Sequence, residues 1–285
     1  MRNYFITGGT GFVGRALVRE ILAQPDTAQV VCLTRKLRAN MLQDDRLSYW
    51  VGDVTSAKFP TMPFTDVVHA AAEANDLLAP DKAQYYYDVV EGASRVFNWA
   101  EQQRPERLLF VSSGAVLKGD SVYCRAKRMS EHLAPAWATL ARIYSLVGPE
   151  MPFDGQYALG RFVHQATHLR RVCYYESGSV RSYLHADDCA RWLSAILTHG
   201  HPEKGAYDVG SEIAVSIKSL AHLVANLAGV PCEEVPRADY HATAQVYLPN
   251  LDTTRTLPID CQETIALAHG IEQALAACNL KNNAA

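Results

Sequence analysis

The sequence predicts an α/β fold, a doubly wound parallel sheet followed by a smaller C-terminal α/β region. Three observations predict it. In the first half, short apolar β-rich runs alternate with longer stretches whose apolar residues recur every three or four positions, as strands and covering helices require. A glycine-rich turn joins the first strand-like run to the first helix-like one. Near residue 150 the texture changes, because Gly148-Pro149, Met151-Pro152 and Asp154-Gly155 break the chain in quick succession.

Strands are expected at residues 4–7, 30–33, 47–51, 67–70, 108–111 and 139–143, and helices at 13–23, 85–103 and 123–133. Beyond the break, 187–197 and 217–228 read as helices, 207–209 as a strand, and the end of the chain as a polar tail. The implied domains are residues 1–150, to which the chain returns around 185–212, and 151–285.

The composition narrows the functional classes. With 285 residues, 48% of them hydrophobic, the chain can bury a sizeable core. A net charge of −3 and no basic tract argue against a nucleic-acid partner. No run approaches the roughly 18 apolar residues that cross a bilayer, and Met1 leads directly into the first strand with no cationic region or cleavage site. A soluble, cytoplasmic protein is expected. The seven cysteines form no Cys-x-x-Cys pair and read as free thiols in a reducing compartment. His164 and His168 stand four apart without the intervening Glu of a zinc protease, so no metal is expected.

The segment Thr7-Gly8-Gly9-Thr10-Gly11-Phe12-Val13-Gly14 follows the first strand and opens the first helix, the context of a dinucleotide fingerprint. Gly8 permits the tight turn, Gly11 lets the backbone approach a pyrophosphate at the helix N-terminus, and Gly14 lets helix and strand pack closely. Further on, Leu109-Phe110-Val111-Ser112-Ser113 leads to Tyr123-Cys-Arg-Ala-Lys127. Four-residue spacing puts Tyr123 and Lys127 on one helical face. A tyrosine titrates near pH 10 and needs a neighbouring cation to exchange protons near neutrality, a charge that Lys127 would help to supply.

With its Gly-x-x-Gly-x-x-Gly spacing and Tyr-x-x-x-Lys pair, the chain resembles the extended short-chain dehydrogenase/reductase family from the first residues to roughly 230. The resemblance implies a Rossmann sheet, a nicotinamide cofactor and a homodimer. It assigns Thr10, Phe12 and Val13 to the cofactor loop beside the three glycines. Asp53 and Val54 of Gly52-Asp53-Val54 would meet the adenine, Ala70, Ala71 and Ala72 after His69 would line the cofactor, and Lys127 would also hold the ribose. Ser113, three residues before Val116, matches the Ser or Thr that hydrogen-bonds the reacting oxygen, with Ser112 the lesser choice. One departure is the short interval between Ser113 and Tyr123, in a region that often touches substrate. In Arg142-Ile-Tyr-Ser-Leu-Val-Gly148-Pro149, Tyr144 falls to the cofactor and Ser145 to the substrate. In Arg181-Ser-Tyr-Leu-His-Ala-Asp-Asp188, Arg181 would grip the diphosphate of a nucleotide sugar; the competing reading is a surface arginine paired with Asp187 or Asp188.

The second strand ends Leu33-Thr34-Arg35-Lys36, where an NAD-preferring relative carries an acid for the 2′-hydroxyl. Arg35 and Lys36 would attract a 2′-phosphate, so NADP(H) is expected, with NAD the alternative. Dehydratases of the family place an Asp-Glu pair after the Ser or Thr, and Gly114 and Ala115 stand there instead. These features favour an NADPH-dependent reductase of a dTDP- or CDP-linked 4-keto-6-deoxyhexose, in deoxysugar synthesis for lipopolysaccharide O-antigen or another surface polysaccharide. The runner-up is an NAD-dependent nucleotide-sugar 4-epimerase. A cofactor-sensing regulator on the same fold comes third, since such proteins usually lose the Tyr/Lys pair that this chain retains.

Overall fold

A computed structural model describes residues 1–72, 79–153, 157–236, 244–258 and 261–283; the expected break at Asp154-Gly155 lies outside the described residues. The chain divides into two compact units. The first comprises residues 1–143, 189–209 and 250–261, and the second 144–188, 210–249 and 262–285.

The first unit is a Rossmann-type α/β fold. Its strands are β1 (Arg2–Thr7), β2 (Thr27–Thr34), β3 (Leu47–Val51), β4 (Asp66–His69), β5 (Arg107–Ser113) and β6 (Thr139–Ile143), with a last strand at Tyr207–Val209. They form one sheet in the order Tyr207–Val209, β6, β5, β4, β1, β2, β3, and every adjacent pair is parallel. The helices include α1 (Phe12–Ala23), α2 (Lys82–Gln103) and α3 (Val122–Leu133). Strands covered on both faces read as continuous apolar runs, and Tyr4, Phe5 and Ile6 of β1 are all buried.

Helices α2 and α3 start at side chains that cap them. Asp81 accepts hydrogen bonds from the Ala83 and Gln84 amides at the head of α2, and Ser121 accepts from the Cys124 amide at the head of α3. α2 covers β1, β4 and β5 through Ala93, Val96, Phe97 and Ala100. The aromatic centre of this core is Phe5, whose ring centroid lies 4.8 Å from that of Trp99, with Phe59 and Phe64 packed around the pair.

The strand order reverses between β1 and β4. In doubly wound sheets the crevice beyond the carboxyl ends of those two strands takes the ligand. At their opposite ends, the Asp66 carboxylate is completely buried. Arg2 donates to it through Nε and Nη2, Arg107 from 3.4 Å and the Thr65 hydroxyl from 2.7 Å.

The second unit holds the helices Ala158–His164, Ile217–Ala228 and Leu267–Asn283 with short strands between them. The expected polar tail is therefore corrected: Leu267–Asn283 is helical, and Ile271, Ala274, Leu275 and Cys278 are buried on one side of it. Gly270 and the polar residues between these positions dilute the pattern in the sequence. Asp188 prepares the approach to this helix by accepting from the Thr264 amide and hydroxyl and the Ile265 amide at 2.9, 2.6 and 3.0 Å. Among the described residues no helix is long and apolar enough to cross a membrane.

Removing one charge from a buried ion pair strands its partner, so Asp66→Asn should destabilise the protein by about 2–4 kcal/mol. Urea denaturation checks this, and a loss below about 0.5 kcal/mol would show that the Arg2 and Arg107 contacts are dispensable.

Candidate functional site

The glycine loop is the first component of the site. Gly8 has φ +78°, and a Cβ there would lie 2.6 Å from the Ala70 carbonyl carbon and the Ala71 nitrogen. The turn after β1 and the segment after β4 therefore run in backbone contact. A Cβ on Gly14 would collide with the Gly8 carbonyl oxygen. Gly11 differs, since a Cβ there would meet only the Gly8 oxygen, at 3.4 Å. The space beside Gly11 is open, and it faces the head of α1, where the first N–H groups lack carbonyl partners within the helix. No acidic side chain stands in that first turn. This is a cradle that a dinucleotide pyrophosphate fits; Thr10, Phe12 and Val13 lie half-buried around it.

Ala70 to Ala72 follow β4 and are half-buried. The Ala70 amide donates to the Thr7 carbonyl at 3.0 Å, and the Thr7 hydroxyl bridges the His69 Nδ1 at 2.7 Å and the Ala71 amide at 3.4 Å. Burial, reinforced by the charge of Lys127, pushes the His69 imidazole down to about 3, so it is a neutral tether near pH 7. Arg35 and Lys36 are exposed directly after β2. The Thr55 hydroxyl and amide donate to Asp53 at 2.7 and 2.9 Å and hold its carboxyl below the usual range, with Arg35 adding a smaller pull. Val54 packs against α2 at Gly92, where a Cβ would come within 2.8 Å of its Cγ1.

Ser113, Tyr123 and Lys127 all belong to the first unit. Ser113 ends β5 and its hydroxyl oxygen accepts from the Ala115 amide at 3.2 Å, which leaves the hydroxyl proton to be donated. The chain then winds into a tight turn, Gly114–Leu117, closed by the Gly119 amide on the Ala115 carbonyl at 2.7 Å. That compact turn lets the short interval between Ser113 and Tyr123 reach the first turn of α3. The Tyr123 ring packs on the cluster of Tyr85, Val89 and Ala126. One turn later Lys127 is 3% exposed, and its ammonium donates to the Val111 carbonyl at 2.9 Å and lies 4.8 Å from the centre of the Phe110 ring. Phe110 in turn stacks on His69 with centroids 5.5 Å apart. Burial pushes the Lys127 ammonium down to about 8, against a smaller opposing effect of Glu131. Ser112 is buried with its hydroxyl unpartnered among the described residues.

Tyr144, Ser145 and Arg181 belong to the second unit. Tyr144 is buried, with its ring 4.7 Å from Tyr247, and the Ser145 carbonyl accepts from the Leu184 amide at 3.1 Å. Arg181 donates to the Val180 carbonyl at 3.0 Å and to the Gln245 carbonyl and side-chain oxygens at 2.9 and 3.2 Å. It lies 5.7 Å from the centre of the Tyr247 ring. These partners are neutral, so its charge is not consumed by Asp187 or Asp188. Thr7 and His69 head the quoted motifs but carry no role of their own in the sequence, and Phe110 reads as an ordinary strand position; only the register of β1, β4 and β5 brings the three together.

The depressed Lys127 has a thermodynamic consequence. Between about 8 and its ordinary value near 10.5, the unfolded chain keeps a proton that the folded chain has lost, so stability rises with pH across that window. In cofactor-free protein, the stability of wild type relative to Lys127→Met should rise by up to about 3 kcal/mol from pH 8 to pH 10.5. Urea melts at intervals through the window test this, and parallel curves would contradict it.

The profile of the NAD dependent epimerase/dehydratase family matches residues 4–210. A dTDP-L-rhamnose 4-epimerase of Burkholderia thailandensis is 28% identical over 125 residues, 40% of this chain and 34% of that enzyme. The chain thus matches about a third of that relative's length. A dTDP-glucose 4,6-dehydratase of Streptomyces griseus is 26% identical over 262 residues, 80% of this chain and 79% of the relative. Among solved structures, the dTDP-glucose 4,6-dehydratase DesIV of Streptomyces venezuelae, with NAD and TYD bound, superposes with a TM-score of 0.82 at 19% identity, over 99% of this chain and 98% of that one. The profile covers the glycine cradle, the Ser113, Tyr123 and Lys127 positions and Arg181, and this chain belongs to the NAD dependent epimerase/dehydratase family.

Proposed function

We propose that the chain reduces the 4-keto group of a nucleoside-diphosphate-linked 4-keto-6-deoxyhexose with NADPH. The observation that carries this reading is the end of β2, where Arg35 and Lys36 stand exposed in the place of the acid that would read a ribose 2′-hydroxyl. A carboxylate there repels a 2′-phosphate, whereas two cations attract it.

The nicotinamide cofactor, when bound, supplies the hydride. Residues 1–150, with the return around 185–212, serve the cofactor, and 151–285 serve the nucleotide sugar. Tyr123 donates its phenolic proton to the carbonyl oxygen as that oxygen becomes an alkoxide. Ser113 donates a hydrogen bond to the same oxygen, for which its hydroxyl proton is available. Lys127 holds a positive charge behind Tyr123 and orients the ribose. Arg181, held by neutral partners, serves the diphosphate. Gly114 and Ala115 offer neither the acid nor the base that eliminating water requires. Such a reductase works in the cytoplasm, as a homodimer, in deoxysugar synthesis for surface polysaccharide.

The similarity to a dTDP-L-rhamnose 4-epimerase favours a second reading, a 4-epimerase that recycles bound NAD. The two readings differ in stoichiometry. With dTDP- or CDP-4-keto-6-deoxyglucose, the reductase consumes one NADPH per sugar, followed by loss of NADPH absorbance and by NMR of the product. Interconversion of 4-hydroxyl epimers without added cofactor would replace this reading with the epimerase. Tyr123→Phe should lower kcat by about 10²–10⁴-fold while the cofactor still binds, and near-normal turnover would show that the proton comes from elsewhere. Arg35→Asp should cut the ratio of kcat/KM for NADPH over NADH by about tenfold or more; an unchanged ratio contradicts the assignment of Arg35.

A further inference from the structure

The segment after β2 carries Arg35, Lys36 and Arg38 within four positions, and all three are exposed. Like charges this close repel one another, and a free loop would splay them apart. This loop is tied down. The Thr34 hydroxyl donates to the Lys36 carbonyl at 3.1 Å, the Met41 amide to the Arg38 carbonyl at 3.3 Å, and the Tyr49 hydroxyl to the Leu42 carbonyl at 3.0 Å. The fourth tie comes from outside the segment and its neighbouring strands. Arg15 donates from Nη1 to the Asn40 carbonyl at 3.0 Å, and its charge also reaches Tyr49. The Lys36 and Arg38 side chains make no hydrogen bond or ion pair among the described residues, so the ties hold the loop by its backbone and leave those two cationic heads to a ligand.

Arg15 directly follows Gly14 and belongs to the opening of α1, whose first N–H groups face the pyrophosphate cradle. One rigid helical turn thus carries both the cradle and the tether of the cationic loop. We propose that Arg15 is a positioning residue for the ribose 2′-phosphate. It fixes the loop of Arg35, Lys36 and Arg38 at a set distance from the pyrophosphate site, with Arg38 a third cation for that phosphate. The inference rests on the NADP(H) reading above and adds to it the residue that pre-organises the phosphate site. Pre-organisation matters because ordering a loop on binding consumes affinity that a tethered loop retains.

Isothermal titration calorimetry with adenosine 2′,5′-bisphosphate and 5′-AMP tests it on the full chain, with no turnover needed. Wild type should bind the bisphosphate at least about tenfold more tightly than 5′-AMP. Arg15→Gln should weaken the bisphosphate by about five- to tenfold and 5′-AMP by less than about twofold, while Arg15→Lys, which keeps a donor for the Asn40 carbonyl, should recover part of the loss. Tryptic cleavage after Arg35, Lys36 and Arg38 should quicken in Arg15→Gln. If wild type does not discriminate the two ligands, the NADP(H) reading falls and this inference falls with it. If wild type discriminates but Arg15→Gln binds the bisphosphate normally, or loses both ligands equally, only the role of Arg15 is overturned.

Discussion

Three stretches of backbone meet at Gly8, where the turn after β1 presses on the Ala70–Ala71 peptide and the Gly14 turn of α1 presses on the Gly8 carbonyl. A side chain at Gly8 or Gly14 would force these stretches apart, and Gly8 also holds a φ that L-residues rarely adopt. That contact sets how close the head of α1 comes to the point where the strand order reverses. The open glycine cradle at the head of α1, the His69 tether and the cationic loop tied by Arg15 are all positioned from it.

A second constraint runs through Lys127. Its ammonium is buried against a carbonyl and an aromatic face, an arrangement that costs stability and is tolerated because the surroundings specify it closely. The neutral His69 beneath Phe110 matters here, since a second cation in that stack would add repulsion to the desolvation that Lys127 already bears. The buried Ser112 hydroxyl, with no partner among the described residues, is another local cost in the same strand end. Such costs concentrate at sites because function selects positions that packing alone would fill with apolar residues.

The two units invest their charge differently. In the first, Asp66 is enclosed by two arginines at the amino ends of the strands, while the opposite ends carry exposed cations after β2. In the second, Asp188 holds the segment before the last helix through Thr264 and Ile265, and Arg181 is left among neutral acceptors. Asp188 of the motif thus supports the fold, and the Arg181 guanidinium is held by neutral oxygens.

Much of this was legible in the sequence because it rests on local chemistry. Glycines at 8, 11 and 14, apolar runs of strand length and the four-residue spacing of Tyr123 and Lys127 each constrain the chain within a few residues, so they read directly as turn, strand and helical face. The helix Leu267–Asn283 was not legible, because its apolar side is interrupted by glycine and polar residues and becomes a helix face only where the second unit packs against it. Nor were the partners of Arg181, the His69–Phe110–Lys127 stack or the tether from Arg15 to Asn40. Apart from the Arg181–Val180 bond, each joins positions far apart along the chain, and which of many possible pairs meet is set by strand register and by the path of connecting segments. Local pattern determined what the elements are, and long-range packing decided which side chains share a site.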